Sequence, residues 1–321
     1  MRKRIGIVAG VKNEGEVIEQ FITHHLRLGF AKIFILDITS TDGTREILQQ
    51  YAHHPQIVVE FSEAIDGTPD LHRQFRLKAY LDEDIDHIFY MDPDEFVVME
   101  PKSTLDDIFG QVESNCYEIP RYNIVNPQAL RHGLSDKVLQ NLHRLYYHTP
   151  QLKYSYPMPC PSFAWRIAIT QPIPPKVITT KKPLQISFGG HHAVGNDINQ
   201  VVIPRGIFIA HIPVSTLSRM TFKLKTRYAY FQKNPDWFKI FLVRYHQYCY
   251  AYELGLTEKM YEHLFFGQQE IKLAIKLGEI KKAHRLLPQV STVLSEFAPH
   301  QYSRFYELSL ESAKMAHITN D

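Results

Sequence analysis

Over the first third of the chain, short apolar runs alternate with stretches of mixed apolar and polar residues. Ile5-Gly6-Ile7-Val8-Ala9 has the length of a strand and closes on Gly10; Glu16 to Leu28 then spaces Val17, Phe21, Leu26 and Leu28 among polar residues, as an amphipathic helix does. Gly29 ends that helix. Lys32 to Leu36 predicts a second strand, Ser40-Thr41-Asp42-Gly43 a turn whose hydroxyl caps a helix through Gln50, and Ile57 to Phe61 a third strand. Asp70 to Leu81 reads as a helix and Ile85 to Met91 as a fourth strand running into Asp92. The alternation argues for an α/β fold with a mostly parallel central sheet and helices on both faces, because parallel neighbours need crossover connections.

In such sheets ligands collect at the carboxyl ends of the strands. Lys12-Asn13-Glu14, Asp37 to Asp42 and Asp92 to Glu95 each follow a predicted strand, which puts all three on one rim. Asp92 and Asp94 lie two apart, so in extended backbone both carboxylates face the same way, although Pro93 can bend the segment. They stand between Phe89-Tyr90-Met91 and Phe96-Val97-Val98, where charge is costly unless the loop opens to solvent or to a cation. Paired carboxylates of this kind can hold Mg²⁺ or Mn²⁺ as a counter-charge for a departing diphosphate; an acidic turn after a buried strand is the plain alternative. Asp37, at the end of an apolar run and before Ser40-Thr41-Asp42-Gly43-Thr44, offers a carboxylate to a nucleoside and backbone N–H groups at a helix start. A capped strand-to-helix turn would use the same residues.

Later segments have a different texture. Eight of the 19 prolines fall between 150 and 183, which reads as a loop-rich, acceptor-side region. Strand-like runs return at Leu184 to Phe188 and Ile207 to Ile212, and from Thr216 the chain reads as helical almost to its end. Trp237, Phe241, Tyr245, Tyr248 and Tyr252 recur at helical spacing and form a packing face. His24 and His25, adjacent on a helix, face different directions and cannot easily chelate one ion; packing is their expected role.

Bulk properties exclude several classes. A formal charge of +2 without a basic stripe argues against nucleic-acid binding. Three distant cysteines give neither a disulfide framework nor a CxxC metal site, and a reducing cytoplasm, or the inner face of a membrane, is the expected compartment. No apolar run reaches the roughly 18 to 20 residues of a membrane span, so membrane contact would be peripheral.

Taken in order, Lys12-Asn13-Glu14, His24-His25-Leu26 with Gly29, Ile35-Leu36-Asp37 with Ser40-Thr41-Asp42-Gly43-Thr44, Gln74 with Ala79-Tyr80, and Asp92-Pro93-Asp94-Glu95-Phe96 resemble the glycosyltransferase family 2-like group. The resemblance covers about the first third of the chain. It implies a GT-A (nucleotide-diphospho-sugar transferase) fold over residues 1–222 with a C-terminal helical region over 223–321. Lys12, Asn13, Glu14, Asp37, Gln74 and Asp92 would then lie at the nucleotide, and Asp92 and Asp94 at a Mn²⁺ or Mg²⁺ ion. Gly190-His191-His192 and Ala210-His211-Ile212-Pro213 resemble the group's later histidine motifs, which makes His211 a third metal ligand. The sequence departs from the group at Ile38, where many members carry a second acid, and at Ile212 and Val214, where many carry an aromatic and a lysine.

The implied reaction is an inverting transfer from a nucleotide-sugar donor, expected to be UDP-linked, to a glycan or glycolipid such as a bacterial surface polysaccharide or lipooligosaccharide. It needs a carboxylate base, for which Asp197 and Asp136 are the candidates, and Asp197 is preferred because it closely follows His191-His192. A homodimer is compatible with the C-terminal region. Two other readings stay open: a metal-dependent nucleotidylyltransferase, which would be expected to carry a Gly-rich phosphate loop near its first strand, and a non-catalytic sugar-nucleotide-binding protein.

Overall fold

A computed structural model describes residues 3–63, 69–149, 169, 173–181, 185–186, 188–194, 200–234, 243–287 and 291–294. Its first half alternates as the hydrophobic pattern requires: β1 (Ile5–Val11), α1 (Ile18–Arg27), β2 (Lys32–Ile38), α2 (Thr44–Gln50), β3 (Ile57–Ser62), α3 (Pro69–Leu81) and β4 (His87–Tyr90). Then come β5 (Glu95–Met99), α4 (Leu105–Phe109), β6 (Cys116–Ile119), β7 (Arg121–Asn123), α5 (Asp136–Gln140), β8 (Tyr146–His148) and β9 (Lys176–Thr180). The remainder holds β10 (Gln185–Ile186), β11 (Ala193–Val194), β12 (Gln200–Ile203), β13 (Ile207–His211), α6 (Leu217–Lys233), α7 (Val243–Glu253), α8 (Thr257–Glu262), α9 (Gln268–Lys276), β14 (Ile280–Lys282) and β15 (Ser291–Leu294).

The main sheet has the order β15-β12-β6-β9-β4-β1-β2-β3. The strands β3, β2, β1 and β4 pair in parallel, and so do β6 and β12; β9 and β15 run the other way. The protein is thus a mixed α/β structure with a mostly parallel central sheet. Strands β1, β2 and β4 are buried along almost their whole length, which is why they read as unbroken apolar runs. Within them the two-residue period sorts side chains to opposite faces. Ile7, Ala9, Ile33 and Ile35 join Phe21 and Ile22 of α1 in one core, whereas Val8, Phe34 and Leu36 join Phe75 and Ala79 of α3 in the other.

A second sheet, β5-β13-β7, stands beside the first. Its β5 begins immediately after Asp94, and α1 holds it in place through two histidines. His24 Nε2–H donates to Val97 O at 2.8 Å; His25 Nδ1–H donates to Phe21 O at 2.8 Å while its Nε2 accepts from Val97 N–H at 3.3 Å. Both rings pack against Phe96. The expected packing role of this pair is what the structure shows, with hydrogen bonds added.

The later chain differs from its sequence reading in three ways. Residues 150–183 were expected to be loop-rich, and most lie outside the described residues, yet Lys176–Thr180 forms β9 inside the main sheet between β4 and β6. The stretch after Thr216 is not uniformly helical, because β14 pairs with β8 and β15 with β12, both antiparallel. The boundary expected at 222/223 falls inside α6, a continuous 17-residue helix capped by Thr216. Tyr248 and Tyr252 pack against the main core as expected; Trp237 and Phe241 lie outside the described residues.

Burial pushes His24 down to about 4, from an ordinary value of 6.5, and pushes His25 well below that value. The unfolded chain takes up protons on these rings near pH 6.5 and the folded chain does not, so stability falls as the pH drops from about 6.5 toward about 4. Both rings act in the same direction, so their effects on the acid side reinforce each other. Urea unfolding at a series of pH values is expected to show this acid limb, and His24→Gln, which keeps a donor for Val97 O, to make it shallower.

Candidate active site

Three loops meet at the carboxyl ends of β1, β2 and β4. The first two are laced together through their own polar groups. Ser40 Oγ accepts from Asn13 N–H at 2.8 Å, Asn13 Oδ1 from Thr41 N–H at 2.6 Å, Thr44 Oγ1 from Glu14 N–H at 2.9 Å and Asp42 Oδ2 from Gly15 N–H at 3.0 Å. Asn13 adopts a left-handed φ of 54°, which asparagine tolerates because its side chain bonds locally. The Ser-Thr-Asp motif therefore braces two loops, and the Asn13 carbonyl is committed to Thr41. Asp37 lies fully buried at the end of β2 with Arg45 Nε 2.8 Å from its Oδ2. Its Oδ1 is buried without a hydrogen-bond partner among the described residues.

The acidic loop after β4 is a tight turn: Glu95 N–H donates to Asp92 O at 3.1 Å, and the Glu95 side chain returns to accept from Asp92 N–H at 2.8 Å. This turn sends the two aspartates to different partners. Asp92 faces β9, where Lys176 Nζ lies 2.7 Å from its Oδ2 and also donates to Gly189 O at 2.7 Å. Gly190 follows with a φ of 69°, so close to the Tyr90 side chain that a Cβ would meet it at 2.4 Å; only glycine fits there. Lys176 is fully buried, sits 3.3 Å from Glu95 Oε2, and shares Glu95 with Arg121, whose guanidinium contacts Oε1. Burial works against the Asp92 charge, but Lys176, with help from Arg121, holds its carboxyl below the usual range. Burial raises Glu95 to about 6 against the pull of the same two cations.

Asp94 faces the opposite way, toward α6 and β13. Lys223 Nζ lies 2.7 Å and Arg219 Nη2 3.2 Å from its Oδ2, and Arg219 also grips Glu14 Oε2 at 2.6 Å. Residues 219 and 223 are one helical turn apart and so share a face. The start of that helix is fixed by Glu16, whose carboxylate accepts from Thr216 Oγ1 at 2.7 Å. Burial alone would raise Asp94, but Lys223, His211 and Arg219 bring its carboxyl well below the usual value.

His211 is the last residue of β13. Antiparallel pairing sets it opposite Glu95, the first residue of β5, and parallel pairing sets it beside Asn123. Its Nδ1–H donates to Asn123 Oδ1 at 2.6 Å, leaving Nε2 3.5 Å from Asp94 Oδ1. Burial pushes His211 down to about 4 despite Asp94, which favours the uncharged ring at neutral pH. A neutral imidazole oriented through its other nitrogen, opposite a carboxylate oxygen, is a donor set that suits a divalent cation. Among the described residues no group of three His, Cys, Asp or Glu side chains is arranged to hold a metal. Asp94 Oδ1 and His211 Nε2, 3.5 Å apart, are two atoms of the kind that ligate a divalent cation.

Of the sequence candidates, the structure brings Glu14, Asp94 and His211 together, sets Asp92 beside them on Lys176, and puts Asp37 on the neighbouring strand. Lys12 and Gln74 are exposed, the latter on α3, and Asp136 is exposed at the first position of α5. Asp197 lies outside the described residues. The sequence reading missed Arg121, Lys176, Arg219 and Lys223. Only the β-branched run Val177-Ile178-Thr179-Thr180 after Lys176 could have marked a strand there; nothing local shows that the α6 cations face acids.

No protein-family model and no curated sequence matches the chain. Among solved structures, it is similar to S. aureus TarS 1–349 in complex with UDP-GlcNAc, at 16% identity and a TM-score of 0.34, over 56% of this chain and 45% of that one. It is also similar to GalNAc-T7 with UDP, GalNAc and Mn²⁺, at 18% identity and a TM-score of 0.30, over 37% of this chain and 23% of that one. The chain thus spans less than half the length of either.

Removing Lys176 takes the nearest cation from Asp92 and leaves the buried Glu95 to Arg121 alone. Lys176→Met is expected to cost about 3 to 5 kcal/mol of stability, read from urea unfolding. Adding Asp92→Asn should recover part of that loss; equal and additive losses from the two changes would contradict the pairing.

Proposed function

We propose that the chain is a glycosyltransferase of the GT-A type that moves a sugar from a nucleoside diphosphate donor, UDP-linked, to a glycan or glycolipid acceptor. The observation that carries this reading is the facing pair Asp94 Oδ1 and His211 Nε2, buried at the rim of the parallel strands beside Asp92 and Glu14. The ordered motifs from Lys12 to Phe96 support it independently.

In this reading Asp37 meets the nucleoside through its unpartnered Oδ1, and Asp92, half exposed where Lys176 steadies it, meets the ribose or the diphosphate. Asp94 and His211 hold Mn²⁺ or Mg²⁺, which when bound supplies positive charge to the leaving diphosphate. Asn123 keeps His211 in the tautomer that presents Nε2, and Arg219 fixes the rotamer of Asp94 from behind. The low carboxyl pKa of Asp94 keeps it ionised throughout the physiological range. Asp197 and Asp136 remain the proposed bases for the acceptor hydroxyl, and the inverting outcome rests on the family resemblance alone.

The test is release of nucleotide from a panel of UDP-, GDP-, CMP- and dTDP-sugars with Mn²⁺, Mg²⁺ or EDTA. The expected result is metal-stimulated release of UDP from at least one UDP-sugar, and a loss of at least about 100-fold in turnover for Asp94→Asn with the fold retained. A nucleotidylyltransferase would instead yield pyrophosphate exchange, and a binding protein would bind UDP-sugar without releasing UDP.

A further inference from the structure

Asp94 has two differently used oxygens. Oδ1 faces His211, whereas Oδ2 is taken by the cations of α6. Glu14 takes the same two cations, with Lys223 Nζ 3.5 Å from Oε1 and Arg219 on Oε2. Two carboxylates and two side-chain cations therefore leave this cluster formally neutral before any ion enters.

The two cations are not equivalent. Arg219 has a side chain only 2% exposed, and its fork is also tied to the carbonyls of Ile212 and Pro213, so it is a fixed part of the fold. Lys223 is 33% exposed and its ammonium rides on a flexible four-carbon stem, one turn closer to solvent. A divalent ion at Asp94 Oδ1 and His211 Nε2 would raise the charge of a cluster that already has its counter-ions, with the Lys223 ammonium 2.7 Å from the other oxygen of the same carboxylate. The ion becomes acceptable when Lys223 withdraws, or when a diphosphate brings negative charge with it.

We propose that Lys223 is a resident, displaceable counter-ion of Asp94, so that divalent cation and nucleoside diphosphate enter the site as a coupled pair rather than separately. The inference rests on the donor site proposed above and adds to it a residue, Lys223, that sets the order of binding. Linkage makes the coupling reciprocal: the factor by which UDP tightens the ion is the factor by which the ion tightens UDP.

The experiment measures Mn²⁺ binding by electron paramagnetic resonance of the free ion, with and without UDP, in the wild type, Lys223→Met, Lys223→Gln and Asp94→Asn, with circular dichroism to verify folding. Wild type is expected to bind Mn²⁺ weakly alone and about tenfold or more tightly with UDP. Both Lys223 variants should bind Mn²⁺ without UDP about tenfold more tightly than wild type, and UDP should then add less. Asp94→Asn should lose Mn²⁺ binding in every condition. Lys223 variants with wild-type Mn²⁺ affinity and wild-type coupling overturn the proposal. If all proteins bind UDP but none binds Mn²⁺, the proposal fails while nucleotide binding stands; a wild type that binds no UDP strikes the functional reading itself.

Discussion

Carboxylates buried at a sheet edge must each find a cation, and the arrangement of this site follows from that requirement. Taking an ionised carboxylate out of water is unfavourable by several kcal/mol unless a partner charge and hydrogen bonds replace the solvent. Asp37, Asp94, Glu95 and Glu14 are all buried, and Asp92 is half so. Each has its own cation: Arg45 for Asp37, Lys176 for Asp92, Arg121 for Glu95, and Arg219 with Lys223 for Asp94 and Glu14.

The supply of those cations explains the topology of the second half. The parallel strands β1, β2 and β4 deliver acids to the rim because a loop follows each of them. The cations arrive on other elements: Arg121 on β7, Lys176 at the start of the antiparallel β9, and Arg219 and Lys223 on α6. Strand β9 enters the sheet next to β4, and its reversed direction puts its first residue at the end where β4 finishes. Antiparallel pairing of β13 with β5 does the same for His211. Reversed strands thus carry Lys176 and His211 to the rim that the parallel strands furnish with acids.

Two kinds of cation are present at that rim. Lys176, Arg121 and Arg219 are buried and multiply bonded, which suits holding acid side chains in fixed rotamers. Lys223 is partly exposed, and next to it Asp94 Oδ1 and His211 Nε2 lie 3.5 Å apart. The buried cations hold the acid side chains in place, and the partly exposed one is the cation that the proposed exchange would displace.

Much of the first third was legible in the sequence, because β1, β2 and β4 are buried on both faces and read as apolar runs and α1 shows one apolar stripe. The rim acids were legible too, since Asp37 and Asp92 each follow such a run directly and Asp94 stands two residues further on. His211 was marked only by resemblance, and its partner Asn123 by nothing. The direction in which each aspartate points was decided by the Asp92–Glu95 turn, whose closing hydrogen bonds separate side chains that strict extension would have aligned. The choice of Lys176, Arg121, Arg219 and Lys223 as partners belongs to tertiary structure alone. Local patterning encodes strands, helices and the loops between them, but a salt bridge between residues 84 or 129 positions apart has no local periodicity to betray it.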